Sequence, residues 1–128
     1  MNLLLDTCCL IWLANDPTQL SPRALSLLQD PANRWFLSVV SVWEMVVKIG
    51  LGRLTLNDDL DQVVAEQVAV NQLILLPLRL DHVLVGGALP PLHKDPFDRL
   101  LICQATVEHA TILTPDHLIR QYPIPTEW

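Results

Sequence analysis

The sequence predicts an α/β fold around a parallel β-sheet, and three observations predict it. Short apolar runs alternate with segments of helical periodicity, turn chemistry separates the two, and the length of 128 residues suits one domain. The runs are Leu3–Leu5, Trp35–Ser38, Ile74–Leu76 and Thr111–Leu113, each bounded like a buried strand. A chain of this size buries roughly two-thirds of its unfolded surface, enough for a core without staples. Apolar residues make up 51% and charged residues 17%, which excludes intrinsic disorder.

The elements follow in order. Leu3–Leu5 is the first strand, and Thr7 to Ala14 forms a short helix that Asn15-Asp16-Pro17 stops. Ser21-Pro22 supplies an N-cap with proline at the first helical position, so Arg23 to Gln29 is helical, and Asp30–Asn33 turns. After the strand at 35–38, Val39 to Leu51 forms a helix ending near Gly50 or Gly52. Asn57 and Asp58 cap a helix reaching about Asn71, and Pro77 closes the strand at 74–76. Asp81 to Gly86 is a short helix or turn, and Leu89-Pro90-Pro91-Leu92 is a stiff loop. Asp95-Pro96 opens a long helix through about Glu108, Thr111–Leu113 is the fourth strand, and Thr114-Pro115 opens a final short helix before an extended tail.

The net charge is −6 at pH 7, so a basic nucleic-acid footprint over the whole surface is excluded. A polyanionic substrate must be met by a local patch or by bound cations. Cys8, Cys9 and Cys103 form no C-x-x-C and no zinc spacing, which points to free thiols in a reducing compartment. The opening MNLLLD is too short for the apolar region of a signal peptide, and no apolar run reaches the ~20 residues of a membrane span. The expectation is a soluble cytoplasmic protein.

Four carboxylates occupy informative places, since functional groups of parallel sheets gather beyond the carboxyl ends of the strands. Asp6 follows the first strand, Asp116 lies just past the fourth, and Glu44 and Asp98 sit in early turns of helices that start at the same edge. Each also has a sufficient structural role on its own. Asp6 can cap the helix at Thr7, and Ser41-Val42-Trp43-Glu44 fits a capping box. Glu44 can pair with Lys48 at i,i+4, and Asp98 and Asp116 fall in first turns that favour acids. Asp98 weakens these separate readings, because Leu101, Ile102 and Ala105 share its helix face and a carboxylate on a core-facing stripe is costly unless paired or metal-bound. If the acids converge they repel, at about 4 kcal/mol per pair at 4 Å and an effective dielectric of 20. A divalent cation relieves this, and all-oxygen ligands select Mg²⁺ or Mn²⁺ over zinc. Such a site suits phosphodiester hydrolysis.

Four segments together resemble a known family: LLLDTCCLIWLAND at 3–16, SVVSVWEMVVKIGLGRL at 38–54, LPPLHKDPFDRLLICQA at 89–105 and ILTPD at 112–116. The chain is similar to PIN-domain ribonucleases, specifically the toxins of VapBC-type toxin–antitoxin pairs. The resemblance implies a single PIN-like domain over residues 1–128, with a central parallel sheet of four to five short strands flanked by helices. It implies a Mg²⁺- or Mn²⁺-dependent endoribonuclease whose acidic site falls on Asp6, Glu44, Asp98 and Asp116. Asp6 and Asp98 would be the firmest metal ligands, Glu44 a ligand or water-orienting group, and Asp116 a direct or water-mediated ligand. Thr114 would orient Asp116 or contact phosphate. The resemblance also implies a homodimer, and an antitoxin whose C-terminal segment lies in the groove. Two departures stand out: Cys8 replaces the His common after the Asp-Thr pair, and Thr-Pro-Asp replaces Thr-Arg-Asp at 114–116. The Cys8 position is expected to serve packing rather than chemistry.

RNA would be held by few cations. Lys48, Arg53, Lys94 and Arg99 lie on segments expected to border the crevice; Lys94 and Arg99 are the candidate substrate contacts, and Arg53 is expected to be a solvated charge. Trp12 and Trp43 are expected in the core, and His93 is expected to be a plain loop histidine. Two rival readings are a catalytically inactive PIN-fold binding module and a phosphoryl-accepting receiver-like domain. The latter wants an acidic pair after the first strand and an acceptor Asp after the third, where this chain has Asp6 alone and Pro77.

Overall fold

The computed structural model describes residues 1–128. Five strands, β1 (Asn2–Leu5), β2 (Arg34–Ser38), β3 (Ile74–Leu76), β4 (Thr111–Leu113) and β5 (Thr126–Glu127), form one sheet in the order β3-β2-β1-β4-β5. Every neighbouring pair is parallel. Six helices surround it: α1 (Thr7–Asn15), α2 (Pro22–Gln29), α3 (Val39–Gly50), α4 (Leu60–Asn71), α5 (Leu80–Val85) and α6 (Pro96–Glu108). No helix is long and apolar enough to cross a membrane. The strand order also separates this sheet from receiver-like domains, which run 2-1-3-4-5.

The strand sequences are apolar throughout because the sheet is covered on both faces. Leu3 and Leu5 point into one cluster with Cys9, Leu10, Ala24 and Leu28 of α1 and α2. Leu4, between them, points into the opposite cluster with Leu101, Ile102 and Ala105 of α6. The expected helix starts hold where cap chemistry is explicit. Ser21 Oγ accepts from the Ala24 amide at 2.9 Å, and Asp95 Oδ1 accepts from the amides of Phe97 at 2.9 Å and Asp98 at 3.1 Å.

Four local expectations are corrected. The capping box at Ser41–Glu44 does not form: Ser38 caps α3, its Oγ accepting from the Val40 amide at 3.0 Å, which puts Ser41 and Glu44 inside the helix. The helix expected after Thr114-Pro115 shrinks to a single 3-10 turn at Ile119–Gln121, because Asp116 Oδ1 takes the Leu118 amide at 2.8 Å and closes a local turn instead. The cap expected from Asn57 and Asp58 falls instead on Asp59, with no side-chain cap bond; the extended tail supplies β5, and Trp128 packs on Trp12 with ring centroids 5.7 Å apart. Trp43 is 60% exposed rather than buried. It lines a groove of about 950 Å³ between α3 and α4, with Val39, Val42, Val46, Val64 and Leu75. Helix α3 is apolar on more of its circumference than the sheet and α6 can cover.

Candidate functional site

Strand order reverses at β1: β2 and β3 lie on one side of it, β4 and β5 on the other. Crevices at such switch points, beyond the carboxyl ends of the strands, are where open α/β sheets place their chemistry. Asp6 is the first residue past β1, and its amide continues the ladder by donating to Leu113 O at 3.1 Å. Thr114 and Asp116 follow β4 on the neighbouring track. Helix α3 leaves the end of β2, and α6 returns toward β4, so its first turn with Asp98 stands at the same edge.

Asp6 is buried and held from two sides. Oδ1 accepts from the Thr7 amide at 2.7 Å, and Oδ2 accepts from Thr114 Oγ1 at 2.7 Å. The Cys8 thiol points at Oδ2 from 3.7 Å, so this position touches the acid as well as packing beside it. Burial raises the Asp6 pKa; the bonds from Thr114 and Thr7 oppose this, and the charges of Glu44 and Asp116 add to it.

Asp98 is buried at 8% exposure. Oδ2 lies 3.1 Å from His93 Nε2. Its pKa is pushed up to about 7, first by burial, against the lowering effect of His93, and further by Asp95, Asp6 and Asp116. Glu44 is more deeply buried still, and both its oxygens are engaged. Thr7 Oγ1 donates to Oε1 at 2.8 Å, and the Lys48 ammonium donates to Oε2 in the expected i,i+4 pair. Burial lowers the Lys48 pKa, but Glu44 outweighs it and the net shift is upward. Asp116 is half-buried, with its amide donating to Thr114 Oγ1 at 3.0 Å.

The four acids therefore face one crevice closely enough for Asp6 and Asp98 to feel their neighbours' charges. They are not drawn around a single point: no three His, Cys, Asp or Glu side chains are arranged to hold an ion. Glu44 is turned to Thr7 and Lys48, and Asp98 to His93. Asp6 and Asp116 have no cationic partner.

The candidate substrate contacts fare differently. Lys94 is exposed beside Asp95 at the start of α6. Arg99 is a brace rather than a free rim cation: its Nη1 donates to Pro90 O at 3.0 Å, His93 O at 3.4 Å and Tyr122 Oη at 2.9 Å. Thr114 is fully buried, so a phosphate cannot reach it here, and its hydroxyl joins Asp6 to the Asp116 amide instead. Arg53 does not border the crevice. Its segment is tied to the far end of α1, where Asn15 Nδ2 donates to Thr55 O at 3.1 Å, about 13 Å along the helix from Asp6.

Three contributors lay outside the sequence reading of the site. The sequence does not single out Thr7 or Tyr122, and His93 reads in it as an ordinary loop side chain. The His93 ring instead lies between Tyr122 and Asp98, its side chain 8% exposed. The Asp-Thr pair could have pointed to Thr7, but nothing in the sequence joins His93 to Tyr122.

The PIN domain family model matches residues 3–125. No curated protein matches the chain. Among solved structures, VapBC2 of Rickettsia felis, bound to a fragment of promoter DNA, is 16% identical with a TM-score of 0.70, covering 99% of this chain and 98% of that one. VapBC-1 of nontypeable Haemophilus influenzae is 18% identical with a TM-score of 0.62, covering 99% and 97%. FitAcB of Neisseria gonorrhoeae is 19% identical with a TM-score of 0.54, covering 97% and 95%. At such identities the likeness is one of fold.

Proposed function

Because the chain belongs to the PIN domain family, we propose that it is a metal-dependent endoribonuclease and the toxin of a type II toxin–antitoxin pair. What supports this reading is the placement of Asp6, Glu44, Asp98 and Asp116 along one crevice at the switch point, near enough that burial and neighbouring carboxylates raise the pKa of Asp6 and Asp98. Four carboxylate side chains with two lacking any cationic partner form a hard-oxygen donor set, which suits Mg²⁺ or Mn²⁺. Asp6 and Asp98 would be the principal ligands, with Glu44 and Asp116 beside them. When bound, the cation would supply Lewis acidity at a phosphate and lower the pKa of an attacking water. The residues around the acids do the preparatory work. Thr114 and the Thr7 amide fix the Asp6 carboxylate, and Thr7 and Lys48 hold Glu44. Lys94, exposed beside the Asp95 that caps α6, is the cation that would meet an RNA phosphate.

The named neighbours are toxin–antitoxin assemblies, which supports an antitoxin as partner; a second copy of this chain is the other partner in this reading. The apolar groove lined by Trp43 supports a face that another protein covers. The reading belongs to a cytoplasmic enzyme, in keeping with the free thiols of Cys8, Cys9 and Cys103.

The test is cleavage of single-stranded RNA with Mg²⁺ or Mn²⁺, with chelator, and with Asp6→Asn and Asp98→Asn. Each substitution should lower the metal-dependent rate at least about 100-fold, the scale of removing one preorganised electrostatic contact. Cleavage that persists in chelator, or an Asp6→Asn protein as active as the parent, removes this mechanism, whereas a folded parent that cleaves no RNA with either metal favours the inactive binding module.

A further inference from the structure

We propose that His93, backed by Tyr122 and Arg99, is a positioning residue for Asp98: its Nε2–H holds one carboxylate oxygen and leaves the other open to the crevice. The inference rests on the metal-nuclease reading above and names a residue outside its acidic set.

The direction of the chain follows from donor chemistry. Arg99 Nη1 can only donate, so the Tyr122 oxygen accepts at 2.9 Å. The Tyr122 hydroxyl proton is then free for His93 Nδ1, 2.7 Å away. With Nδ1 accepting, the ring proton sits on Nε2, aimed at Asp98 Oδ2 from 3.1 Å. Bonds run one way, from guanidinium to phenol to imidazole to carboxylate. Asp98 Oδ2 is thereby committed to His93, while Oδ1 accepts no hydrogen bond from the protein.

The geometry is fixed from several sides. The His93 ring meets the Tyr122 ring edge-on, with centroids 5.3 Å apart and planes at 65°. The backbone carrying His93 is held by Arg99 through Pro90 O and His93 O. Tyr122 is itself 3% exposed and packed in the α6 cluster. The stiffness of the proline loop at 89–92 thus has a use: it delivers an imidazole to one oxygen of a candidate ligand. Partners that orient ligands in this way typically contribute about 10- to 100-fold in metal affinity or activity.

The experiment measures Mn²⁺ binding to the full chain by calorimetry, alongside RNA cleavage as a function of Mn²⁺ concentration. His93→Ala should weaken Mn²⁺ binding by about 10- to 100-fold, raising the half-saturating concentration while the rate at saturating Mn²⁺ stays near that of the parent. His93→Gln, whose amide nitrogen can take the place of Nε2, should recover most of the affinity. Tyr122→Phe should lose less than His93→Ala. Unchanged Mn²⁺ affinity in a folded His93→Ala protein overturns the inference, as does failure of Gln to restore what Ala removes. Should His93→Ala not fold, near-parental Mn²⁺ binding in His93→Gln with weakened binding in Tyr122→Phe supports the chain, and parental binding in both variants overturns the part assigned to Tyr122. A folded parent that binds no Mn²⁺ brings down the nuclease reading and this inference together, whereas a fault confined to the His93 variants leaves that reading standing.

Discussion

Asp98 sits in the first turn of α6 with its pKa pushed up to about 7, chiefly by burial and then, against His93, by the charges of Asp95, Asp6 and Asp116. The unfolded chain releases this proton near the ordinary value of 3.8, whereas the folded chain keeps it to about 7. Protonation therefore favours the fold. The contribution is fully present below about pH 4 and is lost as pH rises through about 7. Asp6, whose pKa is also raised, adds in the same direction. In metal-free buffer the melting temperature should fall between pH 4.5 and pH 7.5, roughly the span set by these shifts. Asp98→Asn should flatten that decline, and Mg²⁺ should raise the parent's melting temperature most at the alkaline end, where both acids are ionised. A decline of equal slope in parent and Asp98→Asn would place the pH sensitivity elsewhere.

At the scale of elements, the site depends on how β4 is fastened to β1, and one hydroxyl does much of it. Thr114 Oγ1 donates to Asp6 across the strand ends and accepts the Asp116 amide that starts the following turn. Thr114→Val keeps the shape and removes both bonds, leaving a buried oxygen and an amide short of partners. The expected cost is about 1–3 kcal/mol in denaturant unfolding, with a loss of metal-dependent cleavage larger than the stability change alone explains. Parental stability and activity in this variant would show that the strand ends hold themselves. The sequence announced the neighbouring elements well because their signals are local. Asp95-Pro96 and Ser21-Pro22 mark helix starts through chemistry contained in two residues, and Leu3-Leu4-Leu5 is apolar throughout because both sheet faces are covered. The four acids were legible for a related reason, since alternating strands and helices put their ends on one edge. What was hidden depends on contacts between distant residues. Two residues at 126–127 pair as β5 only because β4 offers an edge. Trp43 looked like core because periodicity gives the apolar face of a helix, not how much of it a neighbour covers. His93 reaches Asp98 through a loop whose path Arg99 sets.

For the molecule as a whole, a net charge of −6 must be reconciled with the polyanionic substrate proposed for it. The cations are mostly occupied. Arg23 pairs with Glu127, Arg79 with Asp81 and Glu108, and Lys48 with Glu44. Arg99 braces the proline loop, and Arg53 lies toward the far end of α1. Arg34 lies over the Phe36 ring at the start of β2. Beside the crevice this leaves Lys94 and Arg120, the latter exposed in the turn after Asp116, with Lys48 and Arg99 available only if they give up present partners. Single-stranded nucleic acid releases counterions in proportion to the phosphates neutralised, with a slope of about −0.7 per contact. Four cations at most therefore give a slope of log K against log salt of about −3 or shallower. Fluorescence anisotropy with a short single-stranded oligoribonucleotide and the Asp98→Asn protein, at fixed Mn²⁺, measures this slope without cleavage. A slope near −5 or steeper corresponds to roughly seven or more phosphates. It would mean that RNA is gripped by a basic surface this monomer does not possess, so that a second chain must supply it. A shallow slope instead leaves affinity to the metal and to the few groups at the mouth, and a protein with so little grip of its own must owe its selectivity to the shape of the crevice.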